Sequence, residues 1–448
     1  MNALETVSTW AARLEWSDVP EEVRHQALRS WVNIVGCAVA GSAHPLISVL
    51  ERSLLAWSGS GHCSIVGRSA TTDVLSATLL NCTSSGVHVF DDTHAQAVVH
   101  GSGPPAGALL ALSEMRLRSG REALLAFSLG LELAYRLGKA LGVAPAQADM
   151  RWLQTAITAP FSVAMASGKL MGLNAERLLA AASIALAQST GMRTATGQSW
   201  ARISPGETAQ FGLKAAFYAE QGIRGGLQAL DGPNGFLACF STRPHLPWLV
   251  DDLGERWEIL DNTFKPYPSG VVINPVIEAC MALHAPLAQS GSSVRAIELL
   301  LNPMAIQLTN QPHPDSVVAA QVSLQHWAAV VLVDGQAGLM QIESARLTDP
   351  QVSLLRERVQ LVPDESMPLT AARVVVRLED GTTLQQAVSA CLGSATRPMT
   401  DKDIDQKFLT ITAGVLGSER AGALLQACRG IESLPNAAAI AQAARLPG

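Results

Sequence analysis

Gly86-Val-His-Val-Phe-Asp-Asp-Thr-His-Ala-Gln-Ala-Val-Val-His-Gly-Ser-Gly-Pro-Pro-Ala-Gly-Ala108 divides two apolar, small-residue runs, and the chain is read outward from it. Residues 74–86 ahead of it have the composition of an apolar helix. Gly101, Gly103, Pro104 and Pro105 behind it force a turn before the chain resumes as an Ala/Leu-rich helix. Between them Asp91, Asp92, Thr93, His94 and His100 crowd together in a chain otherwise poor in charge. Carboxylate, hydroxyl and imidazole groups ahead of a helix start are the parts of a proton-transfer site. Asp and Thr also favour helix caps for purely structural reasons, so the cluster by itself admits that reading too.

The chain has 448 residues, which predicts two domains rather than one core. Hydrophobic residues make up 48% and charged residues 16%, against roughly 25% charged in an ordinary soluble domain. So little charge leaves apolar surface to be covered, and an oligomer is expected. A net charge of −6 without a basic block speaks against nucleic acid as partner. No uninterrupted apolar run reaches about 18 residues, so no membrane span is expected. Seven scattered cysteines without a CxxC pair, and a start lacking a basic, apolar leader, predict reduced thiols and a cytoplasmic protein.

Helices are expected from about residue 20 to Gly41, at 74–86, 106–117 and 121–142, through 157–189, and from about Thr208 to Gln221. Arg193 and Arg202 fall in the intervening loop 192–206. After Trp257 the texture changes. Ser293–Leu301 and Ala305–Leu308 have strand character, and residues 372–388 form a hairpin turning at Asp380-Gly381. Helical stretches fill 273–287 and 316–338, and the tail 401–446 is helical again. The fold class that follows is mainly α, with a large all-helical domain (1–257 with 396–448) and a smaller α+β domain (258–395).

Phe264-Lys265-Pro266-Tyr267-Pro268-Ser269-Gly270 sits at the expected junction, where two prolines hold Lys265 and Tyr267 rigidly two residues apart. With the acid/His cluster, it makes the junction a candidate half of a cleft. Here the sequence resembles the MmgE/PrpD family, whose members include 2-methylcitrate dehydratases, cis-aconitate decarboxylases and iminodisuccinate epimerases. Phe90-Asp91-Asp92-Thr93-His94 with His100, Lys169-Leu170-Met171-Gly172-Leu173, Pro205-Gly206, Lys265-Pro266-Tyr267-Pro268 and Ser323-Leu324 carry the resemblance, which covers nearly the whole chain. It implies a helical domain, an α+β lid, a cleft between them and a homodimer. The chain departs from the family pattern at Val89, Leu153, Ser204, Asn274 and His326, so several expected proton-handling side chains are replaced.

The family's chemistry makes or meets a carbanion beside a carboxylate. That requires a base near the carbon and cations or donors for the developing charge. Lys265, His100, His94 and Tyr267 are the candidate catalytic groups. Arg193, Arg202 and Arg136 are candidate carboxylate clamps, and Asp91, Asp92, Thr93 and His326 are further candidates for substrate contact. The spacing of Asp91, Asp92, His94 and His100 matches no strong metal pattern, and no phosphate-binding glycine motif follows a strand, so neither metal nor cofactor is expected. Because an epimerase needs only proton removal and return, the departures favour a cofactor-independent epimerase of a small dicarboxylate resembling iminodisuccinate. The alternatives are a hydro-lyase or decarboxylase of the family, and a non-catalytic polycarboxylate binder.

Overall fold

A computed structural model describes residues 2–59, 61–142, 151–195 and 197–447. Thr196, in the loop expected to carry the two arginines, lies outside the described residues. The fold is mainly α with a smaller α+β part, and the chain divides into two compact units. The larger comprises Met1–Val87, Asp91–Thr263 and Thr400–Gly448, and the smaller His88–Phe90 with Phe264–Met399.

The larger unit is a stack of apolar helices, chiefly Glu21–Ser42, Val74–Gly86, Gly103–Met115, Gly120–Ala140, Gln154–Met171 and Trp200–Glu220. Gln154–Met171 packs on Trp200–Glu220, and Val74–Gly86 on Gly103–Met115. Small residues make these approaches possible. A side chain on Gly206 would come within 2.8 Å of the Leu79 carbonyl oxygen, which accounts for the Pro205-Gly206 pair as a packing device. Lys169, in another of the resemblance motifs, donates to the carbonyls of Ala11 and Ala12 at the end of the helix Ala3–Arg13, a C-terminal cap. The tail joins this unit: Lys407 donates to Asn33 at 2.7 Å, in the helix Glu21–Ser42.

Three details differ from the sequence expectation. The larger unit is not strictly all-helical, because Cys63–Ser64 pairs with Thr71–Thr72 and Asp92–His94 is a short strand. Arg202 lies inside a helix rather than a loop, since Trp200–Glu220 starts early and tolerates Pro205 in its second turn. Residues 258–263 belong to the larger unit, because Glu258 is tied there by Lys139 at 2.8 Å.

The smaller unit is built on a four-stranded sheet ordered Val359–Pro363, Val294–Leu301, Ala372–Leu378 and Thr383–Val388. The first pair is parallel and the other two are antiparallel. The helix Asn274–Ser290 packs on the strands Ala372–Leu378 and Thr383–Val388, and the helix Leu324–Asp334 packs beside it. Their core joins Ile277, Cys280, Leu299, Val374, Val376 and Trp327. Val271–Ser290 is long and apolar enough to cross a membrane by length and composition alone, and half of it is buried. Its apolar face is spent on this core. Ala305–Leu308, expected as a strand, is inside the helix Pro303–Thr309. Asn302 caps that helix, with its side chain accepting from the Met304 N–H, and Pro303 occupies the first turn.

Candidate active site

In the larger unit the strand Asp92–His94 runs into a tight loop, closed where the His94 N–H donates to the Val99 carbonyl at 2.9 Å. Val98 in this loop has φ 54°, and Val89 before it φ 55°. Both are β-branched residues in the left-handed region, where they are strained. The loop's product is the placement of His100. Its backbone N–H donates to Thr155 Oγ1 at 2.9 Å. Its ring Nδ1 lies 2.8 Å from the Asp92 carbonyl, 3.0 Å from Thr93 Oγ1 and 3.5 Å from Asp91 Oδ2. A carbonyl can only accept, so Nδ1 carries the proton, and in the neutral ring Nε2 is the basic nitrogen. The side chain is 39% exposed, so solvent reaches the ring.

His94 has the opposite arrangement. The Ala97 N–H donates to its Nδ1 at 3.1 Å, so the proton sits on Nε2, which faces Glu258 Oε2 at 3.5 Å. The ring is fully buried and stacks on Tyr135 with centroids 4.7 Å apart. Burial works against the Glu258 carboxylate, yet the His94 and Lys139 groups outweigh it and hold it down at about 2. His94, a candidate proton carrier from sequence, is therefore an enclosed ring, unlike His100. Tyr135 fits against Gly101 so closely that a Cβ there would meet its Cε1 at 2.4 Å.

Asp92 is also corrected. Its carboxylate is fully buried and accepts from Ser102 Oγ and, at 2.5 Å, from Asn262 Nδ2. Burial raises its pKa above the usual carboxylate range, with those two donors opposing. A substrate contact is thus not its place; its backbone carbonyl holds His100. Asp91 keeps the more open position. Arg202 is partly exposed; burial of its guanidinium lowers its pKa, and Asp91 is the carboxylate that favours its charge. His100, Asp91 and Arg202 are thus brought into one electrostatic group.

Arg136 does not serve as a carboxylate clamp. Its guanidinium is fully buried, paired with Glu132 at 2.5 Å, and donates to the carbonyls of Trp248, Asp251, Asp252 and Arg256. The sequence held a signal for this, since Glu132 and Arg136 stand four apart on one helix face. Arg193, itself half-buried, opens the turn Arg193–Ala195, and loss of solvent lowers its pKa.

In the smaller unit Lys265 is 1% exposed. Tyr267 is partly buried against the apolar core, and burial followed by Glu278 raises its pKa, so its hydroxyl stays a donor. His326, a candidate for substrate contact, is instead a core histidine. It is fully buried, its Nε2 donates to the Gln341 carbonyl at 2.8 Å, and burial pushes its pKa down to about 4. A histidine buried neutral weakens the fold in acid, because only the unfolded chain takes up its proton between pH 6.5 and about 4. Urea titrations are therefore expected to show about 2 kcal/mol less stability at about pH 5 than at about pH 7.5 from this residue alone. In His326→Gln that difference should shrink by the same amount; an unchanged pH dependence would contradict the assignment.

Ligand atoms of His94, Glu258 and Asp261 lie within 4.8 Å of one another, close enough for a metal ion. The donor set does not suit one. Lys139 holds Glu258 Oε2 at 2.8 Å and Arg256 holds Oε1 at 3.1 Å, so a divalent ion would have to displace two cations.

Comparison with known proteins finds matches to both halves of the chain. The MmgE/PrpD N-terminal domain matches residues 5–249 and the MmgE/PrpD C-terminal domain residues 267–430. Cis-aconitate decarboxylase of Aspergillus terreus is 26% identical over 457 aligned residues, spanning 95% of this chain and 92% of that protein. Its namesake in Homo sapiens is 26% identical over 77% of this chain and 74% of that protein. A cis-aconitate decarboxylase-like protein of Aspergillus oryzae is 25% identical over 94% and 92%. With matches to both of its domains along most of its length, the chain belongs to the MmgE/PrpD family.

Proposed function

We propose that the protein is a lyase acting on a small polycarboxylate of the cis-aconitate type, rather than the epimerase that the sequence departures favour. One observation carries the chemistry. His100 is held by Nδ1 on the Asp92 carbonyl, is open to solvent, and stands in one electrostatic group with Asp91 and Arg202. The choice of lyase is supported by the relatives, which are named cis-aconitate decarboxylases along nearly the same length.

In such a reaction a carbon–carboxylate bond breaks, carbon dioxide leaves, and the electron pair stays on carbon. His100, protonated on both nitrogens, delivers its Nε2 proton to that carbon and returns to the neutral Nδ1–H form. Water then restores the second proton. Arg202 is the proposed partner of a substrate carboxylate, with Arg193 second, because guanidinium geometry matches two oxygens at once. Lys265 and Tyr267 are proposed as further acid or donor groups on the strength of the Lys-Pro-Tyr-Pro segment. No cofactor is required.

Epimerisation remains the second reading, for a specific reason. Leu153 caps a helix without a side-chain bond, Ser204 is buried inside one, and Asn274 accepts from Ser269 at 2.9 Å. None of these three can carry a proton to substrate. Incubation with cis-aconitate and, separately, with iminodisuccinate in deuterated water decides between the readings. The lyase should release carbon dioxide from cis-aconitate and place one deuterium in an unsaturated dicarboxylate. Deuterium exchange with stereochemical scrambling, and neither carbon dioxide nor new alkene, would overturn it in favour of the epimerase.

A further inference from the structure

We propose that Asn262 is a positioning residue for His100, acting through Asp92; the inference rests on the reading of His100 as the proton carrier. The two residues are far apart in sequence and no motif links them, yet a continuous set of hydrogen bonds does. Asn262 Nδ2 donates to Asp92 Oδ2 at 2.5 Å and to Ser30 Oγ at 3.0 Å, so both amide hydrogens are directed. Its backbone carbonyl accepts from Gln26 Nε2 at 2.7 Å. Gln26 and Ser30 stand one turn apart on the long helix Glu21–Ser42. Asn262 thereby ties Asp92 to the most rigid kind of element in the larger unit.

The next residue repeats the attachment, for Thr263 Oγ1 donates to the Thr93 carbonyl at 2.7 Å. The backbone of Asp92–Thr93 is therefore held from both sides of the His100 contact. What the backbone presents is the Asp92 carbonyl, 2.8 Å from His100 Nδ1, with Thr93 Oγ1 at 3.0 Å. A carbonyl fixed to within a few tenths of an ångström selects the Nδ1–H tautomer and so aims the basic Nε2. If Asp92 swings, the ring gains the other tautomer and other orientations. Partners that orient a metal-ligating imidazole in the same way are typically worth about 10–100-fold in affinity or activity, and an effect of that order is expected here. Ser102, the buried residue that begins the helix Gly103–Met115, holds the same carboxylate oxygen from the chain just after His100, so Asn262 supplies the attachment from outside that stretch.

The readout is the tautomer of His100 in the full chain labelled with 15N-histidine, measured from long-range proton–nitrogen couplings and assigned with His100→Gln. The wild type should show Nδ1–H. Asn262→Leu should show a mixture of the two tautomers, with kcat lower by about tenfold and KM within about twofold. Asn262→Ser, which keeps one donor, should recover most of both. A folded Asn262→Leu that retains a pure Nδ1–H ring overturns the inference. A shifted tautomer with unchanged turnover upholds the positioning and instead removes His100 from the chemistry, so the two readings fail separately. Should Asn262→Leu not fold, Asn262→Ser and Ser30→Ala decide by the same signature. Ser30→Ala withdraws the second anchor of the amide, and a wild-type tautomer in both variants overturns the proposal.

Discussion

Arg136→Met is expected to destabilise the larger unit by about 3–5 kcal/mol, the range for removing one partner of a buried ion pair. The effect comes from what is left behind. Glu132 would stay fully buried beside an apolar side chain, and burial already raises its pKa against the opposing pull of Arg136. The carbonyls of Trp248, Asp251, Asp252 and Arg256 would lose the guanidinium in the same step, although Asp252 keeps the N–H groups of Glu255 and Arg256. Those carbonyls belong to the segment that leads to Glu258, so the variant should also loosen the wall against which His94 is held. Urea unfolding followed by circular dichroism measures the loss. The double variant Glu132→Gln with Arg136→Met should recover part of it, because the stranded charge is gone while the carbonyls of Trp248 and Arg256 still lack the guanidinium. An Arg136→Met protein with the wild-type urea midpoint and a raised KM would return Arg136 to the role of substrate clamp.

The contrast between Arg136 and His100 shows what the sequence carries and what it does not. Helices were legible because their apolar residues recur at helical spacing and their ends are marked: Ser119 and Thr400, for example, each cap a helix with an acid three residues on. The hairpin at Asp380-Gly381 was legible for the same local reason, since Gly381 takes φ 87°. Residues 86–108 were legible as a cluster, but not their division of labour. Which histidine is enclosed and which faces solvent depends on Glu258, Tyr135, Thr155 and Asn262, all outside the stretch. Asn262 and Thr155 have no local signature, and the strain at Val98 has none either, because valine gives no warning of a left-handed backbone. Short elements were lost where composition misled. Ala305-Ile306-Gln307-Leu308 looks like a strand, and only the preceding Asn302-Pro303 says helix. Val359–Pro363 ends in a proline, which weakens its strand signal, yet it pairs in parallel with Val294–Leu301 at the sheet edge.

His100→Gln should lower turnover by about a thousandfold, inside the 10²–10⁴ range for loss of a positioned acid or base. Glutamine is the informative replacement, because its amide can still donate to the Asp92 carbonyl while it cannot take up or release a proton near neutral pH. The fold is then preserved and the loss belongs to proton transfer. His94→Gln separates the two histidines. Its ring is buried, stacked on Tyr135 and facing a Glu258 that Lys139 and Arg256 also hold. Its replacement should therefore cost stability, with turnover falling mainly through the displaced neighbours. Measured as carbon dioxide released and as the urea midpoint, the pair should cross: His100→Gln inactive with a near-native midpoint, His94→Gln less stable with substantial residual activity. The reverse pattern would make the enclosed histidine the proton carrier. That outcome would require the stack on Tyr135 to open during turnover, since a carbon atom would have to reach a fully buried ring.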